Sequence, residues 1–216
     1  MSRVHASIDI GTHTARLLIA RKCGIPGHLM PLAREREYIR LAEGLNQSEN
    51  KDIPSVAIDR TVNVLKNFSG TLKRFGVRSV NAVATGVIRD APNADQVLDR
   101  IYEKTGIQAK VITGVEEAYL TAKGALQTLF IHADPFAIFD LGGGSTEFLI
   151  GSEDTNVARS VPLGAALLTK RYFGSIHPLK QKLKRFQVMW ISPCLLRILM
   201  SRGSETCLYS LEPAGQ

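Results

Sequence analysis

Two stretches of this chain, more than a hundred residues apart, carry one plan: an apolar strand, an aspartate, a tight glycine turn bearing hydroxyl side chains, and a second apolar strand. The later one is IFDLGGGSTEFLIG, Ile138–Gly151, where Asp140 precedes Gly142, Gly143 and Gly144, and Ser145, Thr146 and Glu147 follow. The earlier one is ASIDIGTHTARLLIA, Ala6–Ala20, with Asp9, Gly11, Thr12, His13, Thr14 and Arg16. Asp9 corresponds to Asp140, Gly11 to the Gly142–Gly144 region, and Thr12 and Thr14 to Ser145 and Thr146. A strand-turn-strand of this kind turns several backbone N–H groups toward one point, which is how a chain cradles phosphate. One such turn can be an ordinary hairpin; two make an internal repeat that can clamp a phosphate chain between two domains. Asp140 and Glu147 flank the second turn. Carboxylates repel phosphate unless a metal lies between, so the pair is read as a candidate Mg²⁺ site of hard oxygen ligands.

The remaining pattern is α/β with mixed sheets. Val4–Ile10, Ala15–Arg21 and His28–Leu41 read as strands, the first two joined at Gly11. Pro54–Phe75 reads as a helix, with Ile58, Val62, Leu65, Leu72 and Phe75 at three- and four-residue steps and Gly76 as its stop. Val80–Ala84 and Ala109–Ile112 read as strands. Asn93 opens a helix with Gln96 as capping partner, ended by Gly106. Val115–Phe130 reads as a helix with a small-residue face, and a third strand near Val157–Pro162 precedes a helix from Gly164 to about Phe173. Strands followed by alternating helices and strands give mixed sheets.

Six blocks, DIGTHTARLLIA, REREYIRLAEGL, ATGVIRDAPNADQVL, VITGVEEAYLTAKGA, FDLGGGSTEF and VPLGAALLTKRYF, run in the order and at about the spacing of the exopolyphosphatase / guanosine pentaphosphate phosphohydrolase family. The chain resembles that family from Val4 to about Gly174. The resemblance implies the ribonuclease-H-like, two-domain architecture of the actin, Hsp70 and sugar-kinase superfamily, with paired phosphate-binding turns. It implies residues 1–128 as the first domain and 129–175 as the start of a second, incomplete one. Residues 176–216 are set apart as a basic and apolar tail unlike the family, and the chain is expected to stop short of a whole second domain.

Residue roles follow from the same resemblance. Glu117, the second Glu of GVEEA, falls on the family's catalytic glutamate, the expected base for an attacking water. Without it, acids at a helix start only complement the helix dipole. Arg89 falls on the family's Ala-Thr-x-x-x-Arg block and is the expected phosphate clamp, its guanidinium matching phosphate oxygens in fork geometry. Arg16 is a weaker candidate for that role. Asn93 reads equally as an N-cap, and His13 as an exposed turn residue. The implied reaction is hydrolysis of a phosphoanhydride, on inorganic polyphosphate or guanosine pentaphosphate, with Mg²⁺ as cofactor. Rival readings are a kinase of the superfamily, whose adenosine-binding glycine segment is not visible, and an inactive phosphate- or alarmone-binding fragment.

Charge and cysteines set the outer bounds. The net charge of +7 suits attraction of a polyanion. Basic residues are not interleaved with aromatics, so nucleic acid is not expected. No apolar run reaches the ~20 residues of a membrane span. Cys23, Cys194 and Cys207 have no metal or redox spacing, which fits a reducing cytoplasm. The family resemblance also allows a homodimer.

Overall fold

The computed structural model describes residues 4–23, 29–45, 51–129, 135–152 and 156–173. The tail 176–216, with Cys194 and Cys207, lies outside them. The first sheet holds β1 (Val4–Ile10), β2 (Thr14–Lys22), β3 (Leu29–Tyr38), β4 (Val80–Ala84) and β5 (Ala109–Val111), in the order β3-β2-β1-β4-β5. The first three strands pair antiparallel, while β4 and β5 run parallel to β1. This is the expected mixed sheet.

Strand alternation explains which side of that sheet is covered. Ile8, Ile10, Ala15, Leu17 and Ile19 are buried, whereas Ser7 and Arg16, one step out of phase, are not. The buried face packs with α1 (Ser55–Arg74) and α3 (Ala94–Thr105). In α1, Ile58, Val62, Leu65, Phe68 and Leu72 recur at helical spacing and join one core with Val97 and Ile101 of α3. Asn93 precedes α3 but makes no side-chain cap. Its amide instead bonds Ile53 twice, accepting from the backbone N–H at 2.9 Å and donating to the carbonyl at 3.0 Å. A partner 40 residues back satisfies both of its polar atoms better than the local cap would.

The second sheet holds β6 (Phe136–Leu141), β7 (Thr146–Gly151) and β8 (Asn156–Val161), all antiparallel, followed by α5 (Ala165–Phe173). The helix α4 (Gly114–Leu129) lies between the two sheets in sequence. The first-domain range 1–128 includes it, but it rests on the second sheet, where Ala118 and Ala122 form a core with Leu149 and Ala158. Its small face would fit either sheet, so periodicity alone could not assign it. Among the described residues, no helix is long and apolar enough to cross a membrane.

Candidate phosphate site

The two glycine turns are built alike. Gly11 N–H donates to the Thr14 carbonyl at 3.0 Å, and Gly142 N–H to the Ser145 carbonyl at 2.9 Å. Asp9 lies opposite Arg16, and Asp140 opposite Glu147. The repeat therefore aligns Gly11 with Gly142 and Thr14 with Ser145. Thr12 falls on Gly143, one step from the sequence alignment, because the turn bond rather than the hydroxyls sets the register.

Each turn is held from behind through its carbonyls. The Thr12 carbonyl accepts from Leu41 N–H at 2.8 Å, and the His13 carbonyl from Ile39 and Arg40 at 2.9 and 3.0 Å. The Gly142 and Gly143 carbonyls accept from Ala165 and Ala166, at the start of α5, at 2.9 and 3.0 Å. In a planar trans peptide the N–H points opposite to the C=O. The N–H groups of His13 and Thr14, and those of Gly143 and Gly144, are thus aimed away from these supports. That leaves two pairs of donors suited to an anion.

The turns also touch. A Cβ on Gly143 would lie 3.1 Å from the His13 Cβ, and one on Gly144 would overlap the Thr12 hydroxyl. A Cβ on Gly164 would strike the Gly143–Gly144 backbone. The glycines are needed for this close approach as much as for the turn.

Two of the turn hydroxyls hold partners within the protein. Thr12 is buried, and its hydroxyl accepts from Val87 N–H at 3.1 Å, the start of the short helix α2 (Val87–Asp90). Thr146 is buried and donates to the Leu163 carbonyl. Both brace the turns from within: Thr146 commits its O–H to Leu163, while the Thr12 hydroxyl accepts and keeps an O–H that can donate to an anion. Ser145 is buried in the turn, and Thr14 opens β2.

Gly86 sits where α2 begins, at φ 52° and ψ −117°, with the Thr12 hydroxyl where a Cβ would be. Gly86→Ala is expected to lower stability by about 2–4 kcal/mol, from backbone strain and this overlap, as read by denaturant unfolding. An unchanged midpoint would show that Thr12 can move aside.

The helix α2, too short to show a period in the sequence, brings Arg89 to Glu117. The guanidinium Nη1 donates to the Glu117 carboxylate at 2.9 Å, with the two side chains 19% and 20% exposed. Gly114 makes this possible, since a Cβ there would overlap Ser160 of β8. The start of α4 is thereby docked against the strand whose Ser160 hydroxyl donates to Glu147 at 2.7 Å. Glu147 is almost wholly buried.

The consecutive glutamates of α4 have opposite environments. Glu116 is exposed and accepts from the Thr113 N–H and hydroxyl at 2.8 and 3.0 Å, which hold its carboxyl below the usual range. The Glu117 carboxyl is pushed up to about 7, chiefly by burial and then by the charge of Glu147, with a smaller push from Asp9. Arg89 opposes this rise without cancelling it. Asp9, Glu117 and Glu147 therefore converge electrostatically, though they come from three elements. Asp140 accepts from the Thr121 hydroxyl of α4 at 3.1 Å. In the sequence Asp9 stands only as part of the repeat, and its correspondence to Asp140 is the signal that marks it. Ser160 and Thr121 carry none.

Two glycine turns facing one another, one on a mixed sheet and one on an antiparallel sheet, with α4 between the sheets in sequence, define the ribonuclease-H-like class of the actin, Hsp70 and sugar-kinase superfamily. Comparison with known proteins narrows this. The sequence profile of the Ppx/GppA phosphatase family matches residues 18–197, and the chain belongs to that family. The match runs past Gly174, into the stretch set apart above as unlike the family. Exopolyphosphatase 2 of Mycobacterium tuberculosis is 35% identical over 184 residues, covering 82% of this chain and 57% of that protein. The structure of an exopolyphosphatase from Cytophaga hutchinsonii superposes with a TM-score of 0.79 at 27% identity, over 94% of this chain and 65% of that one. The Aquifex aeolicus Ppx/GppA family member gives 0.72 at 29% identity, over 92% and 63%. The chain spans 26%, 48% and 57% of the length of curated relatives that it matches.

Proposed function

We propose that this site hydrolyses a terminal phosphoanhydride, on inorganic polyphosphate cut from its end or on guanosine pentaphosphate. The observation that carries the reading is a half-buried glutamate, Glu117, with its carboxyl pushed up to about 7 and an arginine at 2.9 Å, on a chain whose two glycine turns each present a pair of N–H donors. A base poised near neutrality is what activation of water requires. The N–H groups of His13, Thr14, Gly143 and Gly144 hold phosphate oxygens. Arg89 reaches both the Glu117 carboxylate and the phosphoryl group, and neutralises charge as it is transferred. Glu117 takes a proton from a water whose oxygen bonds to the terminal phosphorus in line with the breaking bridging P–O bond, so the terminal group is released as orthophosphate and the shortened substrate leaves with the bridging oxygen.

The acids fit Mg²⁺. Asp140 and Glu147 stand directly opposite across β6 and β7, so their side chains share a face. Among the described residues, no group of three or more His, Cys, Asp or Glu is arranged to hold a metal. Two carboxylates nonetheless suit an ion that keeps its waters and takes further ligands from substrate phosphates. Bound there, Mg²⁺ would offset phosphate charge.

The test is phosphate release from long-chain polyphosphate and from guanosine pentaphosphate by the 216-residue chain, with Mg²⁺ and with chelator. Release from either substrate that chelation stops is the expected result. No release from folded protein would overturn the reading in favour of binding alone.

A further inference from the structure

The strand β3 reads Arg34-Glu35-Arg36-Glu37-Tyr38, and a strand sends alternate residues to opposite faces. Register fixes which. Arg34, Arg36 and Tyr38 lie opposite Leu18, Arg16 and Thr14, whereas Glu35 and Glu37 lie opposite the buried Leu17 and Ala15. A stretch with nearly balanced charge is thus sorted into a basic row on the face away from the core. Asp9 lies opposite Arg16 and shares that face, and its charge reaches Glu117. The row Asp9–Arg16–Arg36 therefore crosses from β1 to the sheet edge at β3, about 10 Å over two strand spacings.

The outer end of the row is organised. The Arg36 and Arg40 guanidinium carbons lie 5.8 and 5.9 Å from the centre of the Tyr38 ring, and the His13 ring meets Tyr38 edge-on at 5.3 Å. Arg40 has a left-handed backbone, φ 48°, with its N–H on the His13 carbonyl at 3.0 Å. This places it against the first glycine turn. The acids facing this cluster are Asp9, opposite Arg16, and Glu43, which pairs with Arg60 at 2.7 Å. Arg16 and Arg36 stand directly opposite one another across β2 and β3, so their positive charge is concentrated at one place on this face.

We infer that Arg36 and Arg40, steadied by Tyr38, form a distal subsite for a linear polyphosphate chain, holding phosphates beyond those in the glycine turns. This rests on the phosphohydrolase reading above. Arg16, Arg36 and Arg40 offer positive charge in steps, and the Tyr38 ring is already engaged by two guanidinium groups and His13, so the surface suits a phosphate chain better than a nucleoside.

The test is equilibrium binding of long-chain polyphosphate and of tripolyphosphate to the full chain, wild type and Arg36→Gln/Arg40→Gln. The ratio of long-chain to short-chain affinity is expected to fall about tenfold, the size of two partly exposed charge contacts. An unchanged ratio, with both lengths weakened equally or neither weakened, would overturn the inference. Binding is read without turnover. A wild type that binds but releases no phosphate would therefore defeat the phosphohydrolase reading while the affinity ratio still decides the subsite. Thermal stability should be nearly unchanged, since Arg36 and Arg40 are both exposed. If it falls instead, Arg36→Lys/Arg40→Lys decides: kept long-chain preference supports the subsite, and lost preference overturns it.

Discussion

Glu117→Gln is expected to lower phosphate release at least about a thousandfold, the upper range for removal of a positioned base. Affinity for polyphosphate should stay nearly unchanged, because Gln keeps the shape and removes a charge that phosphate does not favour. The wild type supplies its own control in pH. With the carboxyl at about 7 in the free protein, kcat/KM should rise with pH through that value as the base form fills, and the variant should lack this limb. Stability gives an independent reading. The folded site raises this carboxyl, so the folded state binds the proton more tightly than the unfolded chain does. Its contribution is full below about 4.5 and is lost as pH climbs to about 7. The Gln variant carries no such loss, so at pH 8 it should be more stable by about 1–2 kcal/mol, less than the full shift implies because Arg89 loses its partner. Near pH 4.5 the two should converge. A variant with wild-type turnover would remove Glu117 from the mechanism; one less stable at pH 8 would show that the Arg89 pair outweighs burial.

Arg89→Ala should act twice. It removes a guanidinium from the transferred phosphoryl group, an electrostatic loss of about a hundredfold to a thousandfold. It also removes the charge and the hydrogen bond that hold the Glu117 carboxyl down against burial, Glu147 and Asp9. The rising limb of kcat/KM should therefore move to higher pH. Arg89→Lys should restore the position of the limb better than the rate, since an ammonium supplies charge without the fork. An alanine variant with reduced rate and an unmoved limb would separate the two roles and leave Arg89 as a phosphate contact alone.

Legibility in the sequence falls off with distance along the chain. The turns at Gly11 and Gly142 are legible because each is closed by a bond between residues three apart. The strands and α1 are legible from period alone. The Arg89–Glu117 pair joins residues 28 apart on different helices, so neither side chain announces the other. Thr12 and Thr146 read as ligands because hydroxyls beside glycine turns fit phosphate. The partners they hold within the protein, Val87 and Leu163, lie 75 and 17 residues away. Asn93 reads as a cap for the same reason, while its partner Ile53 is far back in the chain. The side of the boundary to which α4 belongs depends on which sheet has room for Ala118 and Ala122, a question of packing that no periodicity answers.

The backing of the second turn by the start of α5 has a consequence for how such a site can diversify. The N–H groups that this turn offers on the proposed reading are peptide groups fixed by Ala165 and Ala166, so no side chain there could be exchanged to retune a grip on phosphate. On that reading a lineage built on this hairpin inherits the same grip. New preferences for the rest of the substrate must then be written by point changes on the strands at the rim.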